Sequence, residues 1–189
     1  MNQTLKTTLI VIAIVFGILF IGGCSIIGIR NGLINEEETI SQQWSEVENQ
    51  LQRRYDLIPN LVATVKGYAK YESEVFKNIA DARAAMYSAK GVNAKAEADA
   101  NMNSALSRLM AVAENYPELK ANQNYIRLMD ELAGTENRIA VARKRYNDSV
   151  KEFNTSIRQF PGNMFGFKKK EYFEPPAKGK MEVAPKVEF

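Results

Sequence analysis

Arg53, Arg54, Asp56 and Asn60 crowd one stretch of the chain, and Glu136, Arg143, Asn147 and Asn154 recur at seven- and four-residue intervals in another. Carboxylates among guanidinium and amide groups can serve acid–base chemistry, hold an ion, or knit helices together. Catalysis would also need a nucleophile, a tuned acid or base and a pocket, and no pattern in the sequence supplies them. Histidine is absent, which removes the usual neutral-pH base, the commonest zinc ligand and the Glu-x-x-His motif of di-iron bundles. Glu72 with Glu74, and Asp130 with Glu131, then read as solvated faces rather than metal ligands. We expect a non-enzymatic protein with no cofactor and no metal, in which the eight residues form an interhelical polar network that fixes register.

Two further groups invite chemistry of another kind. Phe165, Phe167, Lys168, Lys169, Lys170, Tyr172 and Phe173 interleave rings with ammonium groups, a composition suited to the headgroup region of a membrane. The alternative is a clasp, in which the rings fold back onto the body after a reversal at Pro161-Gly162. Cys24, the single cysteine, follows Gly22-Gly23 as in a lipoprotein signal and is a candidate for lipidation after cleavage. Against that reading, Ile26, Ile27 and Ile29 prolong the apolar run beyond it.

The elements that position these residues are helical. Leu9 to Ile29 carries no charge and would span roughly 30 Å as a helix, so residues 9–30 read as a transmembrane anchor behind a short segment 1–8. Lys6 and the amino terminus slightly outweigh Arg30, which places the bulk of the protein outside the cytoplasm on the positive-inside criterion. In the body, Trp44, Leu51, Ile58, Val65, Ile79 and Met86 share a seven-residue row broken at Glu72. A companion row of Ile40, Val47, Leu61, Tyr68, Val75, Ala82 and Ala89 is broken at Arg54.

These rows predict a long helix over 35–89, kinked at Pro59 or restarted at Asp56. Ala98, Met102, Ala105, Leu109, Val112 and Tyr116 predict a helix over 93–115 closed by Pro117. Tyr125, Leu132, Ile139, Tyr146, Phe153 and Phe160 predict another over 122–160. The class is therefore all-α: an antiparallel long-helix bundle over 33–160, then an aromatic and basic extended tail over 161–189. In that tail Met181, Val183, Val187 and Phe189 alternate with polar residues around Pro185. Seams this long also motivate a homo-oligomer.

Several ordered blocks carry a resemblance. Trp44-Ser45-Glu46-Val47-Glu48, Arg53-Arg54-Tyr55-Asp56-Leu57-Ile58-Pro59-Asn60-Leu61-Val62 and Val65-Lys66-Gly67-Tyr68-Ala69 come first. Tyr116-Pro117-Glu118-Leu119-Lys120-Ala121, Glu136-Asn137-Arg138-Ile139-Ala140-Val141-Ala142-Arg143, Tyr146-Asn147, Phe153-Asn154-Thr155, Phe160-Pro161, Phe165-Gly166-Phe167 and Pro185-Lys186-Val187-Glu188-Phe189 follow. Together they resemble the LemA family over essentially the whole chain. The resemblance implies a bacterial, single-pass cell-membrane protein with an antiparallel helical bundle and no assigned chemistry. It also implies a bundle in the cytoplasm, against the charge count, so sidedness stays open.

The link between Phe160-Pro161 and Phe165-Gly166-Phe167 is shorter than the family's usual one, and Gly22-Gly23-Cys24 is not a family feature. A membrane scaffold is the leading expectation. An adaptor or regulator of a membrane protease or signalling complex is the alternative. Membrane lipid, a second copy and a membrane protein are the expected partners. With a formal charge of only +3, no nucleic-acid partner is expected.

Overall fold

The computed structural model describes residues 3–69 and 71–174, without the side chains of residues 3–11, 13, 15, 18 and 19. Five α-helices account for most of it: α1 Gln3–Lys66, α2 Ser73–Ser88, α3 Val92–Ala113, α4 Pro117–Lys120 and α5 Gln123–Ser156, followed by a 3-10 turn at Gly162–Met164. No strand occurs among the described residues. The alternation from Met181 to Phe189 lies outside them.

The chain divides into two units, one of residues 1–42 and 148–170, the other of residues 43–147 and 171–189. In the second unit both heptad rows face inward: Val47, Leu51, Ile58, Leu61 and Val65 are each at most 1% exposed. Burying a side chain of this size contributes about 1.5–3 kcal/mol, so this face dominates the stability of the last turns of α1. The helix runs unbroken through Pro59, and no restart occurs at Asp56.

The expected helix over 35–89 is interrupted between Lys66 and Ser73. Gly67 ends the ladder, with the Tyr68 and Ala69 amides both donating to the Val65 carbonyl. Ile79 and Met86 nonetheless stay buried, at 2% and 4% exposure, because α2 folds back and keeps its apolar face on the same core. Tyr68, by contrast, is 40% exposed, having fallen into the loop.

Contacts between side chains give the direction of each helix. Lys95 pairs with Glu48 at 2.8 Å and Asp99 with Arg54 at 3.3 Å, so α3 runs alongside α1 in the same sense. Trp44 meets Tyr146 and Arg54 meets Glu136, so α5 runs against it. The second unit is thus an up-down-up-down bundle of four helical stretches rather than three. Gly91, at φ 84°, makes the turn from α2 to α3, a left-handed conformation that favours glycine.

Pro117 opens α4, a first-turn position where its missing donor costs nothing. Asn122 then caps α5: its Oδ1 accepts from the amides of Asn124 and Tyr125 at 2.9 and 3.1 Å, while its Nδ2 donates to the Tyr68 hydroxyl at 3.0 Å. One amide side chain therefore starts the last helix and ties down the loop after the first.

In the first unit Leu33 and Ile40 of α1, and Val150, Phe153 and Ile157 after them, are buried. The Ser156 hydroxyl donates to Glu36 at 3.3 Å. Helix α5 stops at Ser156, four residues short of the expected Phe160, which is 81% exposed. The reversal that follows is tight: a Cβ placed on Gly162 would lie 2.1 Å from the Ser156 carbonyl oxygen. Gly162→Ala should therefore push the turn off the end of α5 and cost about 1–3 kcal/mol, the range for overpacking. Thermal melting of the variant beside a Gly91→Ala control separates this close approach from the φ requirement at Gly91.

The backbone of the expected anchor, residues 9–30, lies in α1, but seven of its side chains, Leu9 to Val11, Ala13, Val15, Ile18 and Leu19, are outside the described residues. Among the described residues no helix is long and apolar enough to cross a membrane, so the expected span is not recovered there. What is described of it is exposed: Ile12, Ile14, Phe16, Phe20, Ile21 and Ile27 show between 47% and 74% of their surface.

Candidate functional site

Two polar constellations inside the fold use residues that the sequence singles out. The first lies in the core of the second unit. Arg54 breaks the apolar row of α1, and its side chain is only 7% exposed. Its Nη1 lies 3.3 Å from Asp99 Oδ1 and 2.6 Å from Glu136 Oε2, and its Nη2 donates to Asn103 Oδ1. Asp99 also accepts from the Tyr55 hydroxyl at 3.3 Å and from Asn103 at 3.5 Å. Residues of α1, α3 and α5 thereby share one charge cluster whose only half-exposed member is Glu136.

Burial pushes the Asp99 carboxyl above its ordinary range, with Glu136 adding to the rise, while the charge of Arg54 pulls it back. Burial likewise raises the Tyr55 phenol, first by desolvation and then by the Asp99 charge, so Tyr55 stays a neutral donor. The side-chain hydrogen bonds of Arg54, Tyr55 and Asp99 run among the cluster's own members, while Arg54 Nε is buried without a partner among the described residues. The cluster's evident physical effect is to fix the register of three helices, since a slip would strand a buried charge.

The second constellation clamps the tail separately within each unit, by Tyr146 and Asn147 on residues 171–173 in the second unit and by Asn154 on Lys170 in the first. Asn147 uses both ends of its amide on one residue: Nδ2 donates to the Phe173 carbonyl at 3.1 Å and Oδ1 accepts from the Phe173 amide at 2.9 Å. Asn154 does the same with Lys170, at 2.9 Å for each bond. The Tyr146 hydroxyl donates to the Glu171 carbonyl at 2.8 Å. Burial, with a smaller contribution from the Glu171 charge, pushes the Tyr146 phenol up to about 12. The Phe173 ring, 1% exposed, lies against Trp44 with centroids 5.8 Å apart, and Phe167 meets Phe153 edge-on at 5.8 Å.

Of the eight residues expected to form one network, Arg54 and Glu136 meet directly. Arg143 acts on Asp99 through its charge, which lowers that carboxyl's pKa. Asn147 and Asn154 hold the tail instead of another helix. Arg53 is exposed, Asp56 accepts only a surface bond from Gln52 at 2.8 Å, and Asn60 offers its main-chain carbonyl to Thr64. Asp99, Asn103 and Tyr55 are central and were not singled out. Glu97 and Asp99 both flank Ala98 in this alanine-rich helix, and the sequence carries no signal that separates the exposed acid from the buried one.

The aromatic-basic stretch divides. Phe173 is a buried clasp residue and is withdrawn from the lipid candidates, because its ring is already covered by Trp44. Phe165 and Phe167 are half-buried, and Lys170 pairs with Glu37 at 2.5 Å. Lys168, Lys169 and Tyr172 remain exposed. Cys24 is free and exposed. Among the described residues, no group of three or more histidine, cysteine, aspartate or glutamate residues is arranged to hold a metal ion.

The chain is 29% identical to Magnetosome protein MamQ 2 of Paramagnetospirillum magneticum, over 83% of this chain and 69% of that protein. The same figures hold for Magnetosome protein MamQ of Magnetospirillum gryphiswaldense. Protein LemA of Metamycoplasma hominis is 25% identical over 71% of this chain and 62% of its own length. The LemA family model matches residues 43–189, which takes in the charge cluster, the tail clamp and the residues of both. The chain belongs to the LemA family.

Proposed function

We propose that this chain is a non-enzymatic scaffold held at a bacterial membrane by residues 9–30. The observation that carries the reading is the exposed apolar surface early in α1, where Ile14, Phe16, Phe20, Ile21 and Ile27 are all more than half exposed. Contiguous apolar surface of that kind needs a lipid or protein cover. A second support is that Arg54, Asp99 and Tyr55, the buried ionisable groups of the charge cluster, are engaged with one another.

The long seams of the second unit are filled from within the chain, so self-association on this reading uses other surfaces. Ile126 and Val141 of α5, 45% and 52% exposed, are the apolar positions available there. Lys168, Lys169 and Tyr172 are the residues left to meet anionic headgroups.

Alkaline carbonate washing of membranes from cells making the full chain should leave it in the pellet, and Phe16→Lys with Phe20→Lys should release it. An insertion penalty of about 2.5–3.5 kcal/mol per mid-span lysine supports that expectation. Release of the unaltered chain by carbonate would remove the anchor reading. Intact mass reports on Cys24, because lipidation after cleavage would remove residues 1–23 and add acyl chains. Proximity labelling should return chiefly copies of the chain itself. One dominant enzyme in its place would replace the scaffold by an adaptor or regulator of that enzyme.

A further inference from the structure

We propose that the apolar groove between the last turns of α1 and helix α2 binds a single-chain anionic amphiphile of fatty-acid type. This inference goes beyond the scaffold reading and does not depend on it. The groove has a volume of about 320 Å³, and its floor is Ile58, Val62, Phe76 and Ile79. Ile58 and Ile79 are buried to within 2% of their surface, whereas Val62 stays half-open. Along α1 it extends from Ile58 to Lys66, about 12 Å at the helical rise, a length that suits a medium alkyl chain.

Its chemistry changes from one end to the other. At the Lys66 end it meets a second hollow lined by Lys66, Ser73, Phe76, Lys77 and Ala80. Two ammonium groups and a hydroxyl thus stand where the apolar floor stops, and Ser73 opens α2, so the positive end of that helix adds to the potential. Glu72 and Glu74 line neither hollow. Lys66 and Lys77 have no carboxylate partner among the described residues, and Lys66 instead lies over the Phe76 ring at 5.1 Å from its centroid. At the far end Arg83 lines the groove, with its guanidinium carbon drawn over the Tyr87 ring at 5.3 Å.

An anionic head therefore belongs at Lys66 and Lys77, with the alkyl chain running over Val62 towards Ile58 and Ile79. A peptide is the poorer occupant, because the floor offers carbon and its main-chain amides would be left without partners.

The test uses the full chain in lipid nanodiscs and a decanoate analogue bearing a diazirine near its methyl end, with mass spectrometry of the crosslinked peptides. Label is expected on the peptides carrying Val62 and Ile79. Excess decanoate should displace it, and decanol should need about tenfold more, because it lacks the charge that lysine recognises. Lys66→Glu with Lys77→Glu should cut the label by about tenfold while the melting temperature stays put, since both residues are solvent-exposed. Val62→Trp, which fills the groove, should abolish it. Label confined to residues 9–30, equal competition by decanol, or undiminished label in the double lysine variant would each overturn the proposal.

Discussion

Replacing Arg54 by alanine should lower the stability of the helical body by about 3–5 kcal/mol, the range for removing one partner of a buried ion pair. The cost comes less from the lost bonds than from what is left behind. Asp99 is 6% exposed, and without Arg54 its strongest compensating charge is gone. Two comparisons identify the mechanism. Glu136→Gln, at a side chain 49% exposed to water, should cost less than about 1 kcal/mol. Arg54→Met combined with Asp99→Leu should recover most of the loss, since an apolar pair of similar volume removes the stranded charge along with its partner.

The pH dependence has a definite sign. Burial raises the folded-state pKa of Asp99 above the ordinary carboxylate value of 3.8. The folded state therefore holds its proton more tightly than the unfolded one, and stability falls as pH rises from that ordinary value through the raised one. Arg54 opposes this rise, so its removal widens the window. Melts of the Arg54→Ala variant between about pH 4 and pH 8 should show its deficit shrinking towards acid, where Asp99 becomes neutral in both states. A deficit that is constant or grows towards acid would place the defect elsewhere, in lost packing of the arginine stem.

These two residues also mark the boundary of what the sequence discloses. Arg54 and Glu72 are equivalent as interruptions of a heptad row, yet one is a buried cation and the other lies in a loop. The row cannot tell them apart, because α2 folds back with Ile79 and Met86 still facing the core, and a conserved phase looks the same in a straight helix and in a hairpin. The row of α5 was legible because it serves one uninterrupted face: Leu132, Ile139, Tyr146 and Phe153 are all buried. It failed only at Phe160, beyond the end of the helix, where Gly162 turns the chain against the Ser156 carbonyl.

Asp99 escaped notice for a related reason. An acid among alanines reads as a solvated position until a partner 45 residues earlier in the chain arrives to cover it. Asn147 and Asn154 were legible as residues with a task, but not the task itself. Their partners are main-chain groups of the tail, and a backbone carbonyl or amide leaves no mark in the order of side chains.

Phe173→Ala should release the tail from the second unit, at a cost of about 3–5 kcal/mol if the pocket left behind does not collapse. The ring is 1% exposed and lies against Trp44, which is the only tryptophan in the chain. Its emission therefore reports the surroundings of this one ring, which Phe173 and Tyr146 share, and a red shift in the variant without loss of helical circular dichroism is the expected result. Hydrogen exchange at the Phe173 amide supplies an independent reading, because that amide donates to Asn147 Oδ1 and should lose its protection.

Asn147→Ala should lose the same protection through the polar half of the clamp, at about 1–3 kcal/mol for the buried groups left unpaired. Asn147→Asp keeps an acceptor for the Phe173 amide but meets the Phe173 carbonyl with a second acceptor, so it should not rescue. High pH tests a third contact. Burial holds the Tyr146 phenol protonated up to about 12, above its unfolded value, so its contribution is complete below about pH 10 and is lost as pH rises through the folded value. Ionisation there removes the donor to the Glu171 carbonyl, and Trp44 emission should move in the same direction as in Phe173→Ala. If the emission stays fixed in both experiments, Trp44 is covered by Tyr146 alone, and Phe173 is free to serve the membrane surface after all.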